Sequence, residues 1–330
     1  MKVCIYGAGA IGGFIGTRLA AAGGSSVSAV ARGETLRALR AHGWRLQQGG
    51  ERVQAPAVAS DDPAALGVQD VVVIAVKGPA LAAVAAGIAP LIGPQTIALP
   101  AMNGVPWWFG HGVPALQDAP LESVDPGGRI GAAIPIERVV GCVVHASTAT
   151  PEPGLVEHKM GRGLIIGEPL GGESARTKEL GALLARAGFE VTVSPNVRLD
   201  IWYKLWGNLT MNPVSAITGA TIDRILDDPL LLEFCSAAMR EATTIGERIG
   251  CAVAQSPEDR HAVTRKLGRF KSSMQQDVEA GRAIELDAIV GVVHEIAQRV
   301  GVTTPHIDAL LGLTRLFGRV RGLYPDSATA

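Results

Sequence analysis

Short, wholly apolar runs alternate with stretches of helical period over the first two thirds of the chain, and helical periods alone fill most of the remainder. Lys2-Val3-Cys4-Ile5-Tyr6 reads as a buried strand, and an Ala/Leu-rich stretch at helical spacing then runs to Gly23-Gly24. Further strand candidates are Val27–Ala31, Asp70–Val76, Thr96–Pro100, Val139–His145 and Leu164–Gly167. Leu180–Ala187 reads as a helix ended by Gly188, and Glu190–Ser194 as a last strand. Continuous apolar strands between helices predict a parallel sheet covered on both faces.

The pattern changes after Pro195. From Leu199 to about Leu323 the periods are helical, with breaks at Pro213, Gly219, Pro229 and Pro257. Residues 225–249 read as one long core helix and 286–300 as another, while the tail from Asp326 is expected to fray. The Pro/Gly-rich segment 110–130 reads as a surface loop or insertion. No internal repeat is visible.

Between the first strand and the first helix stands Gly7-Ala8-Gly9-Ala10-Ile11-Gly12. In that context each glycine has a use. Gly7 permits the tight turn, Gly9 lets a pyrophosphate approach the backbone, and Gly12 lets helix and strand pack closely. The diphosphate then sits on the unsatisfied N–H groups of the helix N-terminus. The fold class expected is therefore α/β plus all-α. Residues 1–195 form a dinucleotide-binding domain with a parallel sheet of the Rossmann type, and 196–330 form a helical domain.

Composition narrows the function further. A chain of 330 residues exceeds the usual size of one domain. With 47% apolar and 18% charged residues it can build ample core. The formal net charge of −1 gives no reason to expect a nucleic acid or an anionic membrane as partner. The first residues form a strand rather than a leader, and no apolar run reaches the ~18 residues of a transmembrane helix. The cytosol (a cytoplasmic enzyme) is the expectation. Cysteines 4, 142, 235 and 251 lack C-x-x-C spacing, and the dispersed histidines form no ligand pattern, so neither a metal nor a disulfide is expected. Cys4 and Cys142 fall in strands, where a cysteine behaves as a small hydrophobe.

Which dinucleotide is bound turns on the end of the second strand, Val30-Ala31-Arg32-Gly33-Glu34. An acidic residue there grips the ribose 2′-hydroxyl of NAD, whereas a cation accepts the 2′-phosphate of NADP. Arg32 at the tip favours NADP(H), since its planar donors suit a phosphate. Glu34 is the ribose ligand if the strand ends later than read.

Other polar residues stand where strands end. Lys77 follows Asp70–Val76, and Asn103-Gly104 follows Thr96–Pro100. Ligands of open α/β sheets bind outside the carboxyl ends of strands. In the helical half, Lys204, Asn208 and Asn212 recur at i, i+4 and i+8, which puts them on one helix face among Trp202, Leu205, Trp206 and Leu209. A lysine in such surroundings serves acid–base chemistry, and amides beside it can hold a carbonyl or carboxylate oxygen. A third polar stretch, Lys271 to Asp287, has Gly281 between two helical pieces and Glu285 at the start of the second. A solvated polar helix edge, and a carboxylate favoured by the helix dipole, are the plain structural alternatives.

These motifs together resemble the ketopantoate reductase (2-dehydropantoate 2-reductase) family over nearly the whole chain. The residues that carry the resemblance are GAGAIG at 7–12, Arg32, Val76-Lys77, Asn103-Gly104, Lys204-x3-Asn208-x3-Asn212-Pro213 and SSMQQD…GRAIELD at 272–287. The resemblance implies a Rossmann domain followed by a helical domain, with the active site in the cleft between them. It implies an NADP-dependent oxidoreductase acting on CH–OH donors, which reduces 2-dehydropantoate to pantoate in pantothenate biosynthesis. Lys204 is then the catalytic lysine that protonates the ketone oxygen, and Glu285 the active-site glutamate near the substrate hydroxyl and cofactor. Cofactor contacts fall on Gly7, Ala8, Gly9, Ala10, Ile11, Gly12, Arg32, Lys77, Asn103 and Ser147. Substrate contacts fall on Asn103, Asn208, Asn212 and Ser273.

The chain also departs from the family pattern. Ile222 stands where members place a further asparagine, and Ala80 where they often place a glutamine near the 2′-phosphate. Trp107-Trp108 and the 110–130 segment read as additions that either line a larger pocket or cover core. Two alternatives stay open on the sequence: a paralogue that reduces another branched or aromatic 2-oxo acid, and a non-catalytic NADPH-binding sensor. A homodimer is left open as well.

Overall fold

The computed structural model describes residues 1–266 and 268–326. Of the tail expected from Asp326 on, everything past that residue lies outside the described residues. The contact pattern divides the chain into two units. One comprises Met1–Trp108 with Gly128–Asp200, the other Phe109–Gly127 with Ile201–Ala330.

In the first unit the chain runs β1 (Lys2–Tyr6), α1 (Ala10–Ala22), β2 (Ser26–Val30), α2 (Gly33–His42), β3 (Trp44–Gln48), β4 (Glu51–Ala55), β5 (Val58–Ser60), β6 (Val71–Ile74), α3 (Leu81–Gly87) and β7 (Ile97–Pro100). It returns through α4 (Arg129–Ala133), β8 (Gly141–Glu152), β9 (Leu155–Gly167), α5 (Ala175–Arg186) and β10 (Glu190–Val193). Strands β5-β2-β1-β6-β7 form a wholly parallel sheet. Val71, Val72, Val73 and Ile74 are each 1% exposed or less, as strands covered on both faces require.

A second sheet was not expected. It has the order β10-β9-β3-β4, with β8 paired antiparallel to β9. The runs at 139–145, 164–167 and 190–194 supply strands of this sheet, although Val139 also bridges in parallel to Ala98 of β7. The hairpin of β3 and β4 turns at Gly49-Gly50, both at positive φ, as a tight two-residue hairpin turn requires. Helix α1 packs between the sheets. A Cβ on Gly16 would lie 2.6 Å from the Trp44 ring and 3.0 Å from Ile5, so only glycine lets the helix approach both layers. Cys4 and Cys142 are buried, and burial pushes the Cys4 thiol up to about 11, as befits a packing residue.

Trp107 and Trp108 cover core in this unit. Both are 2% exposed or less, Trp107 Nε1 donates to the Ile134 carbonyl, and Trp108 packs under Gly141.

The second unit is helical, as the periods predict: α6 (Val197–Thr218, entering from the first unit), α7 (Ile222–Asp227), α8 (Pro229–Arg248), α9 (Pro257–Arg265), α10 (Ser273–Glu279), α11 (Val292–Val300) and α12 (Pro305–Val320). Residues 225–249 are not one helix. Asp228 accepts from the N–H groups of Leu230 and Leu231 and Pro229 takes the first helical position, so a new helix begins there. The helix expected over 286–300 is present, with a π-helical turn at Asp287–Gly291 ahead of α11.

The segment read as a surface loop is largely exposed, but it is pinned to the helical unit at a few buried anchors. Phe109, Leu116 and Leu121 are buried, and the Phe109 ring lies 6.1 Å from that of Trp202. Glu295 accepts from the N–H groups of Glu122 and Ser123, each at 2.8 Å, while Arg299 donates to the carbonyls of Ala119 and Pro120. Backbone polar groups that secondary structure leaves unpaired are thus met by side chains of α11. Among the described residues no helix is long and apolar enough to cross a membrane.

Candidate active site

All strands of the first sheet point the same way, so β1, β2, β6 and β7 end at one edge. Gly7, Arg32, Lys77 and Asn103 each follow one of those ends. The topology therefore brings to one edge four features spread over nearly a hundred residues of sequence.

A cavity of about 520 Å³ lies elsewhere, on α8 and the turn before α12. The one that concerns the glycine loop has about 270 Å³. Tyr6, Gly7, Ala8 and Gly9 form one wall, Ala31, Arg32 and Thr35 another, and Val76, Ala80, Ala83 and Val84 an apolar third. Gly7 has φ +96°, and its missing Cβ would stand 2.6 Å from Val76. A Cβ on Gly9 would meet nothing within 4 Å, so that position faces open space. Gly9 caps α1 without any side-chain hydrogen bond, and the first turn holds no acidic residue. The residues fit a dinucleotide: an open backbone cradle at an uncapped helix N-terminus, an apolar wall for a base, and an arginine at the rim.

Ala10, Ile11 and Gly12 do not line the cavity. Gly12 is a packing glycine, for its Cβ would lie 2.0 Å from the Gly7 carbonyl oxygen. Arg32 is exposed and takes the capping position of α2. Glu34 is not in the cavity wall but pairs with Arg37 on the same helix. Tyr6, Thr35, Ala83 and Val84 are cavity residues that the sequence did not single out; as the last residue of β1, Tyr6 carried the one usable signal. Burial raises the Tyr6 pKa, against a smaller opposing pull from the Arg32 charge.

Lys77 opens the short turn after β6, and Asn103 lies in the bend after β7; both are half-buried. Ser147 is in β8 of the other sheet, at a register shift opposite Met160. A bulge of that kind re-aims side chains locally.

The remaining candidates belong to the helical unit. Lys204, Asn208 and Asn212 share one face of α6, the first two half-buried and Asn212 buried at 5% exposure. Pro213 removes one main-chain donor from that helix. Asn212 Nδ2 has no hydrogen-bond partner among the described residues, an expensive state unless a ligand supplies one. On the same face Ser215 Oγ donates to the Asn212 carbonyl and lies 2.6 Å from Ser272 Oγ. Ser272 in turn caps α10 by accepting from the Gln275 N–H. Ser273, the first residue of α10, follows that cap and is exposed.

Glu285 is half-buried in the irregular stretch between α10 and the π-helical turn. Two residues on, Asp287 accepts a 2.6 Å hydrogen bond from the Tyr324 hydroxyl. Burial raises the Asp287 pKa, with the Tyr324 bond and the Arg315 charge opposing it. Burial first, and then the carboxylate, push the Tyr324 hydroxyl upward. Ile222 is wholly buried in an apolar cluster with Ile225 and Leu226, so the expected asparagine position is core here.

The sequence matches the model of the family "Ketopantoate reductase PanE/ApbA" over residues 3–171 and that of its C-terminal region over residues 196–317. The chain belongs to the ketopantoate reductase family. A 2-dehydropantoate 2-reductase of Mesorhizobium japonicum is 42% identical over 98% of this chain and 100% of its own length. A crystal structure from Ralstonia solanacearum MolK2, solved as a candidate ketopantoate reductase, is 56% identical with a TM-score of 0.94, covering 98% of this chain and 99% of that one. A PanE/ApbA family ketopantoate reductase from Ralstonia eutropha JMP134 is 27% identical with a TM-score of 0.83, covering 98% and 100%. Family membership accounts for the α/β plus all-α fold of this chain.

Proposed function

We propose that this chain is an NADPH-dependent 2-oxo acid reductase whose substrate is 2-dehydropantoate, reduced to pantoate. The observation that carries the reading is a pair of features about two hundred residues apart in the sequence. One is the glycine cradle with Arg32 at its rim; the other is a helix face with Lys204 beside two amides, one of them buried without a partner. Full-length similarity to a 2-dehydropantoate 2-reductase supports the choice of substrate.

In this reading residues 1–195 hold NADP(H) and residues 196–330 supply the substrate and catalytic groups. The cofactor, when bound, supplies the hydride. Gly7, Ala8, Gly9 and the N–H groups of Ala10, Ile11 and Gly12 receive the diphosphate, and Arg32 the 2′-phosphate. Lys77, Asn103 and Ser147 complete the cofactor contacts. Asn103, Asn208, Asn212 and Ser273 bind the 2-oxo acid. Lys204 stabilises the charge that grows on the ketone oxygen and gives it a proton, while Glu285 accepts from a substrate hydroxyl. The reaction takes place in the cytoplasm.

The same proposal includes a homodimer. Leu313, Leu316 and Val320 stand 61–80% exposed on one stripe of α12, an apolar face that a second copy would cover.

The test is steady-state NADPH oxidation with 2-dehydropantoate, run beside NADH for the wild type and Arg32→Ala. Saturable turnover that prefers NADPH, with the preference lost in Arg32→Ala, is the expected result. Absence of turnover with NADPH still bound would favour the sensor reading and overturn this one.

A further inference from the structure

The stretch that presents Glu285 has almost no secondary structure of its own, yet it is fixed at both ends. Upstream, the Arg282 N–H donates to the Asp277 carbonyl at 2.8 Å and the Arg282 side chain pairs with the Asp277 carboxylate at 3.0 Å. Downstream, the partners come from the far end of the chain. After α12 the backbone folds back on itself: the Gly322 N–H donates to the Arg319 carbonyl and the Leu323 N–H to the Gly318 carbonyl. Arg319 holds the turn from the other side, with Nε donating to the Pro325 carbonyl and its guanidinium over the Tyr324 ring.

This hook grips the residues on either side of Glu285. The Leu323 carbonyl accepts from the Ile284 N–H at 3.0 Å, one residue before the glutamate. The Tyr324 hydroxyl donates to Asp287 Oδ1 at 2.6 Å, two residues after it. Ile284 and Leu323 are 2% and 6% exposed, so both contacts sit on a packed base. Gly318 makes the approach feasible, since a Cβ there would lie 2.8 Å from Tyr324 Cβ and 3.1 Å from the Ile284 side chain. A residue bracketed by such bonds has little freedom to move relative to them.

We propose that the hook Gly322–Pro325 sets the position of Glu285, with Tyr324 as a positioning residue that acts through Asp287. The proposal rests on the reading of Glu285 as an active-site glutamate. The π-helical turn that begins at Asp287 fits the same picture, because such turns replace regular helix where a functional side chain must be aimed. A glutamate displaced by a fraction of an ångström loses its hold on a substrate hydroxyl while the cofactor site in the other unit is untouched.

The test is a double-mutant cycle on Tyr324→Phe and Glu285→Gln, read as the KM for 2-dehydropantoate and, separately, the Kd for NADPH. Tyr324→Phe removes one oxygen and leaves the ring packing in place. It is expected to raise the KM roughly tenfold, within the loss that misplacing a binding group brings, and to leave the NADPH Kd unchanged. In the Glu285→Gln background the same substitution should change the KM by less than about twofold, because the group it positions is already impaired. An equal factor in both backgrounds would show a merely structural role and overturn the proposal, as would no factor in the wild type. If Glu285→Gln itself leaves kcat and KM unchanged, the active-site reading of Glu285 is what fails, and the proposal falls with it. Thermal unfolding of the four proteins separates lost stability from lost positioning, since the cycle compares folded enzyme only.

Discussion

Ser215 Oγ and Ser272 Oγ lie 2.6 Å apart in the buried base of the helical unit, although 57 residues separate them. The contact ties the face of α6 that carries Lys204, Asn208 and Asn212 to the residue that caps α10. Ser273 thereby takes its place relative to Asn212 through two hydroxyl groups rather than through a continuous element.

Replacing Ser272 by alanine removes both the cap and the tie. Loss of a serine cap costs about 1 kcal/mol, and the lost bond to the Ser215 hydroxyl, which keeps its own bond to the Asn212 carbonyl, adds to it. Ser272→Ala is expected to lower stability by about 1–2 kcal/mol in urea titrations and to raise the KM for the 2-oxo acid while the NADPH Kd stays put. An unchanged KM would separate the cap from the substrate site.

What could be read from the sequence follows the range of the interactions. The glycine cradle was legible because strand, turn and helix N-terminus are consecutive, and the one-face spacing of Lys204, Asn208 and Asn212 because a helix repeats locally. The second sheet was missed at Trp44-Arg-Leu-Gln-Gln, where polar side chains alternate with buried Trp44 and Leu46 and mask a strand. The Gly49-Gly50 pair between two such runs was a usable hairpin signal. Asp228-Pro229 likewise announced a helix start within the stretch read as one helix. By contrast, nothing near residue 122 foretells that Glu295 will satisfy its N–H, and nothing near Asp287 foretells Tyr324. Those partners meet only once the helices have packed.

Two glycines of the cradle should fail in opposite ways. A Cβ on Gly9 meets nothing within 4 Å, whereas one on Gly12 would stand 2.0 Å from the Gly7 oxygen. Gly9→Ala is expected to fold with wild-type stability and bind NADPH at least about tenfold more weakly, some 1.4 kcal/mol. Gly12→Ala is expected to lose about 3 kcal/mol or more, as overpacked sites do, before binding is considered. Paired denaturation and fluorescence titrations decide both points, and equal stability of the two variants would contradict the assignment.

A pH-dependent contribution to stability lies away from the site. Glu168 accepts from Arg176 and from Ser174, and the Arg176 bond, opposed by burial, holds its pKa below the usual carboxylate value. Arg176 also donates to the carbonyls of Glu137 and Val139 and so fastens α5 to the chain leading into β8. A depressed carboxylate stabilises the fold fully above its unfolded pKa of about 4.3, and that contribution is lost as the pH falls through the lower folded value. The stability gap between wild type and Glu168→Gln should therefore be full at neutral pH and shrink in acid below about pH 4. A gap that persists unchanged into acid would contradict the ionic account.

The central claim is that Lys204 is the proton donor in reduction of a 2-oxo acid by NADPH, and its direct test is Lys204→Ala. The measurement is kcat with 2-dehydropantoate alongside the NADPH Kd of the same preparation. The account predicts a kcat lower by about 100- to 10,000-fold, the usual worth of general acid catalysis, with the Kd within about twofold of wild type. A variant that keeps kcat within about threefold of wild type, far less than a lost general acid would cost, would remove Lys204 from the chemistry and contradict the account.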